Sequence, residues 1–513
     1  MARGYSGRCV ETRTAALLAM SLWLSSAAAA RAQEPPKTPP LPEEPAVDVP
    51  PEGEPEEEVI GPGPGAPTVS LTEAVRIALE RNFGILGSAD SLLASRYRES
   101  AAKAQFYPRL TPRYQRSAGT DLLGLDISQR IPWSGATLTA AGTLTGTPVN
   151  ENPFPRASDI RLVVTQPLLR GFGPNAAFYD IENSRRGRIA QERSFELSKQ
   201  RLAVQVTAAF FNVIAQRQLV SVSRQSLKRS DNLKKASEAR LKIGMASKLD
   251  VFRTELQASQ TEDALLRSEA ALVNALEQLR FLLALPPGHP VEPEAVRLGE
   301  TLPGEEEPLE VLIQRAFESR LELRETRDQL GDAKRAAALA RQNLLPQLDL
   351  GLGVSRIGFG PTYSDAYRAG DTRFNVFVSS SYPLERSNEK ASKAVADLEV
   401  EARERMVRQR EMEIESEVRS AVRDLERTRK SVELQRQAVE IAAQQRRLAT
   451  LRYQRGLASN FDVVDAESSL VLARSTLVSL LTTYNVALLD LKRVAGSLDV
   501  DKEFPPPVPE AAP

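Results

Sequence analysis

The chain has 513 residues, enough for several domains or one very elongated one, and its 67 basic residues balance its 67 acidic ones, so no net field directs it to nucleic acid. Hydrophobic residues make up 42% but aromatic residues only 5%, against 26% charged, a mix that favours long solvated helices over a bulky globular core. There is no glycine-rich phosphate loop and no Gly-x-Ser-x-Gly elbow, so the sequence offers no constellation for an enzyme.

The N-terminus carries Arg3, Arg8 and Arg13, an apolar stretch from Ala15 to Ala30, and then Ala30-Arg31-Ala32, which fits a signal peptidase site. Residues 1–32 read as a secretory signal, because the apolar stretch falls short of the roughly 20 residues a spanning helix needs. The only cysteine, Cys9, precedes that stretch and would leave with the signal. Residues 33–67 are rich in proline and glutamate and read as a disordered tether. After the signal no segment approaches a membrane-spanning helix, so any entry into a membrane must be made with strands.

The remainder divides into two related halves, 68–285 and 309–499, separated by a Pro- and Glu-rich linker at 286–308 and followed by a Pro-rich, loose tail at 500–513. Leu71, Val75 and Ala78 match Leu309, Ile313 and Ala316, and Pro108-Arg-Leu110 matches Pro346-Gln-Leu348, all at an offset of 238. Gly244-Met-Ala-Ser247, Asp250 and Glu255 match Gly456-Leu-Ala-Ser459, Asp462 and Glu467 at 212. Coincidence of offsets within long blocks indicates an internal duplication.

Caps and breakers set the helices. Ser70 with Glu73 forms a capping box, and Pro108 and Pro346 stop the first helix of each half. The pattern predicts helices over 71–107, 175–243 and 248–285, and again over 309–345, 388–455 and 460–495. Val206, Val213, Val220, Leu227 and Leu241 keep a seven-residue register, as do Val418, Leu425, Val432 and Val439, which predicts a left-handed supercoil. Two shorter helices stacked end to end match one long helix of roughly 100 Å. The linker would then sit at mid-height.

Between the first and long helices lie alternating segments. Leu348, Leu350, Leu352 and Val354 alternate with small or polar residues, as do Phe374, Val376 and Val378, with a weaker signal at Leu138, Ala140 and Leu144 and at Ile160, Leu162 and Val164. Two strands per half give four per chain, too few to close a barrel, so the chain must associate with others. Pro108 and Pro167 lie 59 positions apart in the first half, and Pro346 and Pro383 lie 37 apart in the second. About 22 residues around Ser117 to Trp133 are therefore extra, either a loop or another hairpin.

This arrangement, with LTEAVRIAL at its start, QPLLRGFG at Gln166 to Gly173 and YQRGLASNFDVVDAE at Tyr453 to Glu467, resembles the TolC-type outer membrane efflux family over nearly the whole chain after the tether. The resemblance implies a mainly α fold with a membrane β-barrel portion, in which a homotrimer forms a twelve-stranded barrel and a periplasmic α-helical tunnel. It implies an outer-membrane channel subunit of a Gram-negative bacterium, extending into the periplasm, for efflux of small molecules or type I secretion. Cargo would arrive from an inner-membrane pump through a periplasmic adaptor, with no cofactor, metal or catalytic residue.

Carried over by position, the resemblance makes Gly244, Met245, Ala246, Ser247, Gly456, Leu457, Ala458 and Ser459 the hairpin tips where the adaptor docks. Asp462 and Asp465 match carboxylates at the periplasmic constriction, Asp250 their first-repeat counterpart, and Tyr453 a residue that holds the aperture shut. Ala458 stands where some relatives have a gating arginine, leaving Arg452 and Arg455 as replacements. A plainer reading stands beside this one for Asp250 and Asp462, which fit helix N-caps with Ser247 and Ser459. The sole histidine, His289, belongs to the linker and reads as a loop residue. A periplasmic coiled-coil scaffold or adaptor without a pore is the competing class, and it has no use for Pro-bounded hairpins.

Overall fold

The computed structural model describes residues 68–117, 119–147, 155–294 and 307–505. The signal, the tether and the end of the tail lie outside the described residues, as does most of the linker.

Among the described residues the chain runs β1 (Thr68–Val69), α1 (Leu71–Arg81), α2 (Phe83–Ala104), β2 (Arg109–Ser117), β3 (Thr120–Arg130), β4 (Thr137–Gly146), β5 (Arg156–Pro167), α3 (Pro174–Ala177), α4 (Tyr179–Lys242) and α5 (Lys248–Leu282). It continues through β6 (Glu292–Pro293), α6 (Leu309–Ser319), α7 (Leu321–Gln342), β7 (Gln347–Gly360), α8 (Tyr363–Arg368), β8 (Asp371–Ser381), α9 (Ser387–Gln454), α10 (Asn460–Val494) and α11 (Val500–Glu503). With 64 and 68 residues, α4 and α9 extend for about 100 Å at the α-helical rise.

Each predicted first helix is two helices. The breaks fall at Asn82 and Arg320, 238 residues apart, where the backbone turns extended. Asn82 accepts from Gly84 N–H at 2.8 Å and donates to the Leu282 carbonyl at 2.9 Å. Arg320 is almost wholly buried between Glu322 and Glu417. The break lets each ascending pair turn where the returning helix meets it.

That meeting point is also where the core lies. Val75 and Ala78 of α1 and Leu279 and Leu283 at the end of α5 close on Val206, Phe210 and Val213 of α4. In the second half Ile313 and Ala316 of α6, Leu323 of α7 and Val494 of α10 close on Ile414 and Val418 of α9. Away from these clusters the seam is narrow. Small residues such as Ser226, Ser230, Ser237, Thr254 and Ala258 let the helices approach closely.

Two local features depart from expectation. α10 is long and apolar enough, by length and composition, to cross a membrane, which corrects the reading that no segment after the signal approaches such a helix. It runs along α9 and α4, and its buried residues Val478, Leu481 and Leu489 join the first core. Residues 500–504 are not loose, since Val500 and Phe504, one turn apart, are buried in the first core. The described part of the linker is fixed as well: β6 pairs in parallel with β1, and Arg217 near the middle of α4 binds Glu292 at 3.2 Å.

The six longer strands form one antiparallel sheet in the order β2-β3-β4-β5-β7-β8. The expectation of two strands per half holds in the second half and is corrected in the first, which has four. The extra residues form the hairpin β2–β3, because Leu110, Tyr114, Leu123, Leu125 and Ile127 continue the two-residue alternation through them. At the helical end the QPLLRGFG segment is held by Gln166, which donates to Ser134 O at 3.0 Å, and by Gln342, which donates to Phe172 O at 2.7 Å. At the other end α8 folds back on β7, where a Cβ on Gly358 would lie 1.9 Å from Ala366 O.

Candidate functional site at the helical tips

The two far hairpins, α4–α5 and α9–α10, are built alike. Helix α4 ends at Gly244, whose φ of 76° admits glycine without strain, and Met245 N–H returns to Arg240 O at 2.8 Å. Helix α9 ends at Gly456 with φ 74°, and Leu457 N–H returns to Arg452 O at 2.8 Å. The following helices start on capped serines. Asp250 Oδ2 accepts from Ser247 N–H at 3.0 Å and from its hydroxyl at 2.8 Å. Asp462 Oδ2 does the same with Ser459, at 2.8 and 2.9 Å.

Asp250 and Asp462 are therefore helix caps in this structure, as the plainer reading had it. The Ser247 backbone N–H, then its hydroxyl, hold the Asp250 carboxyl below the ordinary aspartate value. Asp465 is exposed on α10, one turn beyond the cap. Asn460 joins the two hairpins by donating to Asp250 O at 2.6 Å.

Tyr453 is buried, and its partners come from α4. Its hydroxyl lies 3.0 Å from Ser237 Oγ. The guanidinium of Arg240 sits over its ring and also donates to the carbonyls of Tyr453 and Gln454, at 2.7 and 3.0 Å. The arginine in contact with Tyr453 is thus Arg240. Arg240 and Arg452 are 212 residues apart, so the repeat itself held the signal that pointed to it.

Further along the same helices, Arg229 donates to the buried Glu467 at 2.8 Å. Burial lowers Arg446; Glu467 opposes this, while Arg229, Arg474 and Arg447 add to it. Nothing in the sequence marked this cationic cluster, since charges on a long helix look like its solvated face.

The tips also expose apolar side chains: Ile243, Met245, Leu249 and Phe252 on the first, and Leu457 and Phe461 on the second. They surround the Gly-Met-Ala-Ser and Gly-Leu-Ala-Ser turns without burying them.

Residues 312–497 match the family described as outer membrane efflux protein, and this span holds the whole of the second repeat's strand and tip elements. The match covers 186 of the 513 residues, and over that span the chain resembles outer membrane efflux proteins. Its fold is shared with solved channels at low sequence identity. VceC of Vibrio cholerae superposes with a TM-score of 0.65 at 16% identity over 83% of this chain and 96% of that one. CusC gives 0.64 at 18%, covering 83% and 92%. The open-state MtrE channel of Neisseria gonorrhoeae gives 0.63 at 17%, covering 83% and 88%. No curated protein matches the sequence.

Proposed function

We propose that this protein is an outer-membrane efflux protein, the subunit of a homotrimeric channel that receives cargo from an inner-membrane pump through a periplasmic adaptor and carries it across the outer membrane. The observation that carries the reading is the sheet. One face is apolar over all six strands, from Leu110 and Tyr114 through Leu123, Leu138, Leu162 and Leu352 to Phe374, and Phe374 is 82% exposed. The other face carries Arg113, Asp126, Thr143, Asp159, Arg161 and Asn375. Lipid on one side and water on the other suit such a wall, and a scaffold without a pore has no use for it.

The helical tips complete the proposal. The exposed apolar residues around Gly244 to Ser247 and Gly456 to Ser459 would meet the adaptor. The Tyr453 clasp would hold the periplasmic aperture narrow, and Asp465 would lie toward it together with its symmetry copies. Drugs, metal ions and secreted polypeptides are all compatible cargo, because the choice among them falls to the inner-membrane pump. Detergent extraction of outer membranes, followed by mass determination and single-particle imaging, tests the reading. A trimer with a barrel at one end and a helical tunnel at the other is expected. Release by salt alone as a soluble monomer would sink it.

A further inference from the structure

We propose that hairpin β2–β3 is part of the barrel wall, and that the free edge of β2 pairs with the free edge of β8 in a neighbouring copy. Each copy then contributes six strands and a trimer eighteen, where four strands per copy would give twelve. The inference rests on the trimeric channel reading above.

The hairpin is built like the rest of the wall. On the apolar face Leu110 pairs with Ile127, Pro112 with Leu125 and Tyr114 with Leu123. The same rows continue into β4, where Ile127 pairs with Ala140, Leu125 with Gly142 and Leu123 with Leu144. On the polar face Arg113 binds Asp126 at 2.6 Å, as Asp159 and Arg161 of β5 bind each other on that face. A hairpin folded into the pore would need polar residues on both faces, and one lying on the membrane surface would not keep ladder register with β4.

Length points the same way. β2 and β3 have 9 and 11 residues, against 10 and 12 in β4 and β5, and about 9–11 tilted residues cross a bilayer. The turn between β2 and β3 lies level with the end of β4, since Asp121 pairs with Gly146. In lipid the outer edges of β2 and β8 cannot stay unpaired, because no water reaches their N–H and C=O groups. A second copy offers the one complementary edge at the right height. Pro112 removes a single donor from β2, which leaves the remaining positions free to pair.

The single cysteine at position 9 precedes the expected cleavage site, so introduced cysteines in the mature chain report unambiguously. Thr111→Cys would be combined, one at a time, with Arg373→Cys, Asn375→Cys, Phe377→Cys and Ser379→Cys, and oxidised in intact outer membranes. Disulfide-linked trimers at one or two neighbouring pairs are expected. Linkage from Thr143→Cys to β8, with none from Thr111→Cys, would place β4 at the seam and overturn the proposal.

Single-particle imaging of the unsubstituted protein gives the second readout, independent of any variant. At equal tilt, barrel circumference grows with strand number, so eighteen strands make it half again as large as twelve. A trimer with twelve wall strands overturns this inference and leaves the channel reading intact. A protein that is not trimeric overturns both.

Discussion

The guanidinium of Arg240 lies 4.1 Å from the centroid of the Tyr453 ring and donates to the carbonyl oxygen of the same residue at 2.7 Å. One side chain thus grips both the ring and the backbone of the last turn of α9, from a different helix pair. A charge-assisted hydrogen bond contributes about 1.5–3 kcal/mol and a partly exposed cation–π contact about 0.5–1. Arg240→Ala should therefore shift the population of loosened tips by at least about tenfold. Planar-bilayer recording should show higher conductance or more frequent opening; unchanged recordings would remove the clasp from the gating scheme. Arg240→Lys should rescue only in part, because an ammonium cannot both stack on the ring and reach two carbonyls.

The serine caps set a pH dependence at the tips. The Asp250 carboxyl is lowered, so its stabilising effect is fully present above the unfolded aspartate value and is lost as pH falls through the lower folded value. Hydrogen exchange at residues 247–251 should quicken only below about pH 4. Ser247→Ala should speed the same exchange at neutral pH, with a cost of about 1 kcal/mol to the start of α5. Exchange that is indifferent to both changes would contradict the cap.

Arg320 is the most deeply enclosed charge at a helix break. Its pKa is raised: burial acts against it, but the hydrogen bonds that it donates to Glu322 and Glu417 prevail. Arg320→Met removes the shared partner of both carboxylates, leaving Glu322 only Arg410 at 4.0 Å, and should cost about 2 kcal/mol, less than a fully buried pair because Glu417 is partly exposed. The measurement is the thermal midpoint of the detergent-solubilised protein, and a midpoint equal to the parent's would refute the claim. For Glu322, burial raises the pKa but is outweighed by Arg320, so its contribution should persist down to pH values below the ordinary glutamate range.

The two faces of the sheet should respond oppositely to charge. Leu352→Arg, on the apolar face, should cost about 2–4 kcal/mol at mid-membrane and lower the yield of assembled protein. Thr143→Lys, on the polar face, should assemble normally and shift ion selectivity toward anions. Equal assembly of the two variants would mean that the faces have been misassigned.

Asp465 tests the constriction. With the caps occupied by Asp250 and Asp462, it is the carboxylate at the tips that no helix start requires. Asp465→Ala should reduce cation preference or divalent block in planar bilayers. Unchanged selectivity would leave it as an ordinary surface residue of α10.

Much of this architecture was legible in the sequence because it is written in periodicity. The offsets of 238 and 212 placed the six helical segments to within a few residues, and Gly244, Gly456, Ser247 and Ser459 marked the tips through their own backbone requirements. The breaks at Asn82 and Arg320 were not legible, because neither residue is a helix breaker by type. Both depend on tertiary partners, a carbonyl on α5 and a carboxylate on α9. Strand number was hidden for a related reason: Leu123, Leu125 and Ile127 alternate over a span too short to tell from a loop until β4 supplies the partner. Arg240 was missed although it lies 212 residues before Arg452, because α4 carries many similar charges and the fold is what brings Tyr453 across to it.

The closure of each tip upon its own backbone has a thermodynamic consequence for whatever meets it. Carbonyls at the end of one helix and amides at the start of the next are already engaged by the Gly244 and Gly456 turns and by the two serine–aspartate pairs. A loop ordered ahead of encounter has little chain entropy left to surrender. Recognition there would proceed as the meeting of two finished shapes, with no folding step to slow it.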